Sequence, residues 1–241
     1  MIYEHIKEGI FLARPNRFIA HVEIEGRVEI CHVKNTGRCR ELLIYQAPVL
    51  VRKIDSPTRK TKYDLLAVYK GRRLVNIDSS APNKVFAEWL QKGKLFPNIT
   101  LLQPEKTFGN SRFDFYVESD KGQAFVEVKG VTLEDNGVVR FPDAPTLRGV
   151  KHLRELVSCL EAGFKSYVVF IIQMANVLYF EPNWATHPAF GAALQQAAAR
   201  GVHVLALDCQ VTENSITAGT PWKCGWDKNP GTGDQLTPVK P

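Results

Sequence analysis

The sequence lacks any run of about 18 consecutive apolar residues, the least that crosses a bilayer as a helix, so no membrane span is expected. It also lacks the marks of a leader. Met1-Ile2-Tyr3-Glu4-His5-Ile6-Lys7-Glu8 has neither a basic start nor a long apolar core, which argues against secretion. Cysteine is scarce: Cys31, Cys39, Cys159, Cys209 and Cys224 are odd in number and none are spaced as C-x-x-C. That pattern suits reduced, mostly buried thiols in a cytoplasmic protein. No internal repeat is apparent. Negative charge is the minority, with 31 Lys and Arg against 25 Asp and Glu, a net charge of +6. A moderate basic excess suits a polyanionic partner, and clustering strengthens the reading. Arg52, Lys53, Arg59, Lys60, Lys62, Lys70, Arg72 and Arg73 fall within about two strands of each other.

What is present begins with short β-like runs. From Ile10 to Ile77 no helical period occurs. Phe18–Ile24 and Arg27–Val33 read as strands around a Glu25-Gly26 turn, Val49–Ile54 as a further strand, and Tyr63–Tyr69 with Arg72–Ile77 as a second hairpin. Asn35-Thr36-Gly37 is a turn or loop. About five short strands in residues 1–80 predict a small closed barrel, and with this charge an oligonucleotide-binding (OB-like) type. A structural β module with solvated lysines would carry the same pattern.

Residues 81–218 read as an α/β domain with a mixed sheet. A helix opens at Ser79-Ser80-Ala81-Pro82 and runs to about Lys92, with Val85, Phe86, Trp89 and Leu90 on one face. Glu88 lies about 130° from the centre of that face, taking about 100° per residue. Next comes Arg112–Gly130. Phe113, Phe115 and Val117 alternate with Arg112, Asp114, Tyr116 and Glu118, and Ala124, Val126 and Val128 alternate with Phe125, Glu127 and Lys129. This predicts a hairpin with an apolar side and a charged side. A turn centred between Asp120 and Lys121 sets Asp114 opposite Glu127, about 4.5–5.5 Å apart at Cβ; a three-residue loop would turn Glu127 to the other face. Val131–Pro145 reads as a loop with two prolines. A helix follows from Thr146, its N-cap, to Ala162, with Gly163 beyond it. Val150, Leu153, Leu156, Val157 and Leu160 form its buried face, and Arg148, Lys151, His152 and Glu155 a polar stripe. Ser166–Gln173 is a strand covered on both faces, Ala189–Arg200 a helix, and Val202–Leu207 another buried strand, together a right-handed parallel crossover. From about Thr217 periodicity is lost, so residues 219–241 read as an irregular tail in which Trp222, Cys224 and Trp226 are local anchors.

Two facing carboxylates repel unless a cation lies between them, and a hard divalent ion bound through oxygens meets that need. Asp114 and Glu127 could hold Mg²⁺ or Mn²⁺ for phosphodiester hydrolysis, with the Val128 carbonyl as a further ligand. Lys129 could orient or deprotonate the attacking water, or neutralise charge on phosphate oxygens. Glu88 could complete the shell if its helix packs beside the hairpin. An ordinary exposed strand also alternates apolar residues with Glu and Lys, so the spacing alone is weak.

The order helix, strand with Asp, strand with E-x-K, helix resembles the PD-(D/E)xK nuclease core. Longer segments are more specific. N-T-G-R at Asn35–Arg38, R-F-D-F at Arg112–Phe115, V-E-V-K-G-V-T-L at Val126–Leu133, F-P-D-A at Phe141–Ala144 and R-G-V-K-H-L-R-E-L at Arg148–Leu156 resemble the sugar fermentation stimulation protein A family, to about residue 217. The resemblance implies an N-terminal OB-like domain joined to a PD-(D/E)xK domain, with metal-dependent action on DNA or RNA. It points to Asp114, Glu127 and Lys129 as the active centre and Glu88 as the helix carboxylate. Asn35, Arg38, Lys60, Lys62, Arg72, Arg148, Lys151 and His152 are then the candidate nucleic-acid contacts. Phe113 stands where the superfamily pattern has proline, the tail after Ala218 departs from the family ending, and nothing resembles a sugar site. The alternative is a DNA-binding protein without catalysis, such as a transcriptional regulator linked to sugar metabolism.

Overall fold

The structure, a computed structural model, describes residues 1–35, 37–93 and 95–222. The N-terminal unit contains β1 (Ile6–Asn16), β2 (Ile19–Ile24), β3 (Arg27–Val33), β4 (Pro48–Lys53), β5 (Tyr63–Lys70) and β6 (Arg73–Asn76), hydrogen-bonded in the order β3-β2-β1-β4-β5-β6. A parallel pairing of β3 with β5, Cys31 opposite Tyr63 through Val33 opposite Leu65, closes five of these strands into an OB-like barrel. Its lining follows the two-residue period: Ala20, Val22 and Ile24 are buried on β2 while His21 and Glu23 are not.

The central strand of that order, β1, was not among the expected strands, whereas β6 lies outside the closed circuit. Ile6–Ile10 pair with β4 and Ile10–Asn16 with β2, and the register slips between Phe11 and Ala13. That slip divides the strand into two out-of-phase halves, which erases its alternation in sequence. Gly9 is required where β1 passes close over β2, because a Cβ there would come within 2.6 Å of Val22 Cγ1.

The second unit contains α1 (Ala81–Gln91), β7 (Leu101–Phe108), β8 (Ser111–Ser119), β9 (Gly122–Val131), β10 (Leu133–Asp135), β11 (Val138–Phe141), α2 (Leu147–Glu161), β12 (Lys165–Ile172), β13 (Tyr179–Pro182), α3 (Pro188–Ala199), β14 (His203–Val211) and β15 (Ile216–Trp222). Its main sheet has the order β15-β14-β12-β9-β8-β7. Strands β9, β12 and β14 run parallel, and β7, β8 and β15 antiparallel to their neighbours, which makes the sheet mixed as expected. Residues Ser166–Ile172 of β12 are all buried, the signature of a strand covered on both faces. Phe86, Trp89 and Leu90 of α1 share one apolar cluster with Phe115, Val126 and Ile171, while Leu153, Leu156, Phe190 and Leu194 of α2 and α3 share another with Phe125, Val168 and Phe170.

Two expectations change and one strand is added. The loop expected at Val131–Pro145 contains the hairpin β10–β11, and β11 pairs in parallel with β13 in a small second sheet. Strand β7, which had no expectation, forms the sheet edge. The chain does not turn irregular at residue 219, because β15 runs to Trp222 along β14. Gly219 and Pro221 hide it in sequence, and proline is tolerated there because β15 is an edge strand. Cys224 and Trp226, and the rest of the expected tail from residue 223, lie outside the described residues. Cys31, Cys39, Cys159 and Cys209 are buried free thiols. Among the described residues, no helix is long and apolar enough to cross a membrane.

The two units meet over buried polar groups. Asn76 N donates to Gln173 O at 2.9 Å, and Gln173 Nε2 donates to Asn76 Oδ1 and to Asp78 O. The first residues of the chain belong physically to the second unit, since Ile2 bridges Ser215 and Tyr3 N donates to Asn214 O. Residues 1–3 therefore contact the second unit across the boundary expected at 80.

Candidate active site

The site is built from the β8–β9 hairpin, the start of α1 and the first turns of α2. Phe115 pairs with Val126 and Ser119 with Gly122, so the loop is the two-residue Asp120-Lys121 and the register is the one that faces Asp114 toward Glu127 one step beyond the last pair. Gly122, at φ +93, supplies the positive φ that closes the turn.

Past Phe115 the strand changes phase. Phe113 and Tyr116, three residues apart, both pack on Phe125, whereas Phe115 packs on Phe86 of α1. Phe113 therefore does not share a face with Phe115 and Val117 as expected, and both sides of the hairpin are covered. The side chain of Asp114 leaves the ladder: Oδ2 accepts from Val128 N and Oδ1 from Asn83 Nδ2, each at 2.8 Å. Asn83 can reach because β9 carries Gly130 beneath the start of α1. A Cβ at Gly130 would lie 2.8 Å from Pro82 Cγ and 2.6 Å from Gln173 Oε1.

Glu127 is 3% exposed. Its Oε1 takes Lys129 Nζ as well as His152 Nδ1, the latter at 2.5 Å, whereas Oε2 is buried with no hydrogen-bond partner. His152 is buried too, edge-on to the ring of Phe113, with Nε2 facing Arg148 Nε at 3.4 Å. The two carboxylates differ electrostatically. Burial, reinforced by the charge of Glu127, pushes Asp114 above the ordinary aspartate range. Burial also works to raise Glu127, but hydrogen bonds from His152 and Lys129 outweigh it and hold Glu127 below the ordinary range.

Asp114, Glu127 and Lys129 thus come together; Glu88 does not join them. It lies five residues beyond Asn83, about 140° further around the helix at 3.6 residues per turn, where it is exposed and takes the Met1 ammonium at 2.5 Å. Asn83 occupies the position toward Asp114 that Glu88 was expected to fill. Among the described residues, no group of three or more His, Cys, Asp or Glu side chains is gathered for a metal, so the three-carboxylate shell is not assembled.

The expected nucleic-acid contacts divide. Arg148 and Lys151 are exposed at the start of α2, Lys151 Nζ reaching Asn110 O at 2.8 Å. His152, expected on the same solvated stripe, is buried against Glu127. The side chain of Asn35 caps its own turn by accepting from Gly37 N, and Arg38 N donates to Asp143 Oδ2, so the barrel loop docks three residues before Thr146, the N-cap of α2. The side chain of Arg38 stays exposed. Lys60, Lys62 and Arg72 are exposed on the β4–β5 and β5–β6 connections, and among the described residues none hydrogen-bonds to the carboxylate centre. Part of the basic cluster is spent within the fold: Arg59 pairs with buried Asp64, and Lys70 and Arg73 pair with Glu134. Asn83 and the inward role of His152 were not read from sequence. The available signal for His152 was the next position, Leu153, already assigned to the buried face.

A family model described as the SfsA N-terminal OB domain matches residues 12–77, and one described as the sugar fermentation stimulation protein RE domain matches residues 80–215. A sugar fermentation stimulation protein homolog from Desulfitobacterium hafniense strain Y51 is 63% identical over 219 residues, covering 91% of this chain and 96% of the relative. A homolog of the same description from Clostridium beijerinckii is 57% identical over 216 residues, covering 90% and 96%. The solved structure of Pyrococcus furiosus SfsA in complex with Ca²⁺ superposes with a TM-score of 0.84 at 29% identity, covering 92% of this chain and 96% of that one. With both units matched in order and relatives this similar along nearly their full length, the chain belongs to the sugar fermentation stimulation protein family.

Proposed function

We propose that the protein is a divalent-metal-dependent nuclease that hydrolyses phosphodiester bonds in DNA or RNA. The observation that carries this reading is Glu127 Oε2, a buried oxygen without a partner beside a second, disfavoured carboxylate, Asp114. A buried acceptor left unpaired costs about 1–3 kcal/mol, and two neighbouring buried carboxylates repel. One hard cation relieves both, so the donor set fits Mg²⁺ or Mn²⁺ held by Asp114, Glu127 and the Val128 carbonyl. The Ca²⁺ complex of the Pyrococcus relative supports a cation of this class. When bound, such a cation polarises the scissile phosphate and lowers the pKa of its water.

The chain's own groups supply the rest. Asn83 and the Val128 amide hold Asp114 in place. Lys129, whose side chain is 18% exposed and pairs with Glu127 Oε1, is the cation of the centre placed to meet a phosphate oxygen or the attacking water. Arg148 and Lys151 offer phosphate contacts beside it, and Arg38, on the docked Asn35 loop, extends that basic surface to the barrel. Lys60, Lys62 and Arg72 add charge for a strand that continues over the barrel.

The test uses labelled single- and double-stranded DNA and RNA with Mg²⁺, Mn²⁺ or EDTA. Cleavage is expected only with the metals, and Glu127→Gln or Lys129→Ala is expected to lower its rate by at least about 100-fold. Cleavage that ignores EDTA or survives both substitutions overturns the proposal. Salt-sensitive binding with no cleavage would identify a binding protein instead.

A further inference from the structure

Glu127 receives both of its donors on one oxygen, and this asymmetry needs a cause. A glutamate side chain has three rotatable bonds and two equivalent oxygens, so a single flexible donor such as Lys129 does not decide which oxygen is free. His152 does. Its ring is buried, packed edge-on at 5.9 Å from the ring of Phe113, and carried on the rigid second turn of α2. Arg148, one helical turn earlier, faces it with Nε at 3.4 Å from Nε2. A guanidinium nitrogen can only donate, so Nε2 is the acceptor and the ring proton sits on Nδ1, directed at Glu127 Oε1. Both ring nitrogens are then occupied, and His152 has no lone pair left for a metal.

We infer that His152 is a positioning residue, held in the Nδ1–H form by Arg148, which locks Glu127 Oε1 in place and leaves Oε2 as the oxygen presented to the cation. The inference rests on the proposed function, since it assigns the ligand atom of that same centre. It also joins a phosphate-facing side chain, Arg148, to a metal-facing one through a single imidazole.

Partners that orient a ligating carboxylate are worth about 10–100-fold in metal affinity. Mn²⁺ titrated calorimetrically into the full chain is therefore expected to bind His152→Ala about 10–100-fold more weakly than wild type, whereas His152→Asn, whose amide nitrogen falls near the place of Nδ1, restores the affinity. Nitrogen chemical shifts of His152 in the wild type are expected to report a protonated Nδ1 and a bare Nε2, a measurement that needs no variant to fold. Equal Mn²⁺ affinity in folded wild type and His152→Ala, or a ring proton on Nε2, overturns the inference while a cleaving wild type leaves the nuclease reading standing. A wild type that binds Mn²⁺ without cleaving overturns the nuclease reading and leaves His152 to the affinity comparison. A wild type that binds no Mn²⁺ overturns both.

Discussion

Asp114 and Glu127 share a centre but pull stability in opposite directions as pH changes. Asp114 is raised, so the native state holds its proton more tightly than the unfolded chain does. Its ionisation therefore costs stability as pH rises through the raised value. Glu127 is lowered, so its contribution is complete above the unfolded value and is lost only as pH falls through the depressed one. If the proposed centre binds Mn²⁺, the resulting rise in Tm should fade as pH falls through the raised value of Asp114, above the ordinary aspartate range; a rise that persists below that range would contradict this. Glu88 gives the opposite kind of test. Being exposed and paired with the N-terminal ammonium, it should tolerate Glu88→Gln with cleavage rates within about twofold of wild type. Helical geometry had already set Glu88 beyond the buried face, and family resemblance drew it inward. Asn83, a neutral side chain with no obvious chemistry, carried no signal that it would hold Asp114.

Elements differed in how plainly their residues announce them. The β8–β9 register, α2 with its Thr146 cap and Gly163 stop, and the β12–α3–β14 crossover were legible because each rests on a local pattern: a turn centre, a cap, an unbroken apolar run. Strand β1 was not, because it serves two neighbours in different phases. The hairpin β10–β11 was not, because three- and four-residue strands have too few positions to alternate. That hairpin nevertheless anchors the barrel. Glu134 on β10 takes Lys70 at 2.7 Å and Arg73 at 2.6 Å, from β5 and β6, and the Gly137 amide closes around it. Burial works to raise Glu134, but these donors outweigh it and hold the carboxyl at about 2. Its folded value is depressed, so its stabilisation is complete above the ordinary value of 4.5 and is lost as pH falls from there toward 2. Glu134→Gln should flatten the acid side of the stability profile measured by urea denaturation; an unchanged acid limb would show that the tie contributes nothing.

For the molecule as a whole, the barrel and the α/β unit share contacts too buried to open independently. Tyr3, Asn76, Asp78 and Gln173 are all nearly inaccessible to solvent and hydrogen-bond across the junction. Unfolding in urea should therefore be a single transition, with the fluorescence of the four tryptophans and far-UV circular dichroism coinciding. Gln173→Leu, which removes the amide donor shared by Asn76 Oδ1 and Asp78 O, should separate the two curves. The barrel is also tethered at several places: through β6 to Gln173, through Arg38 to Asp143 and through Arg73 to the Asn176 carbonyl. A body pinned at separated points cannot swivel as one hung from a single linker can. A nucleic acid lying across both units would then meet a constant span between the barrel and the centre at Asp114 and Glu127.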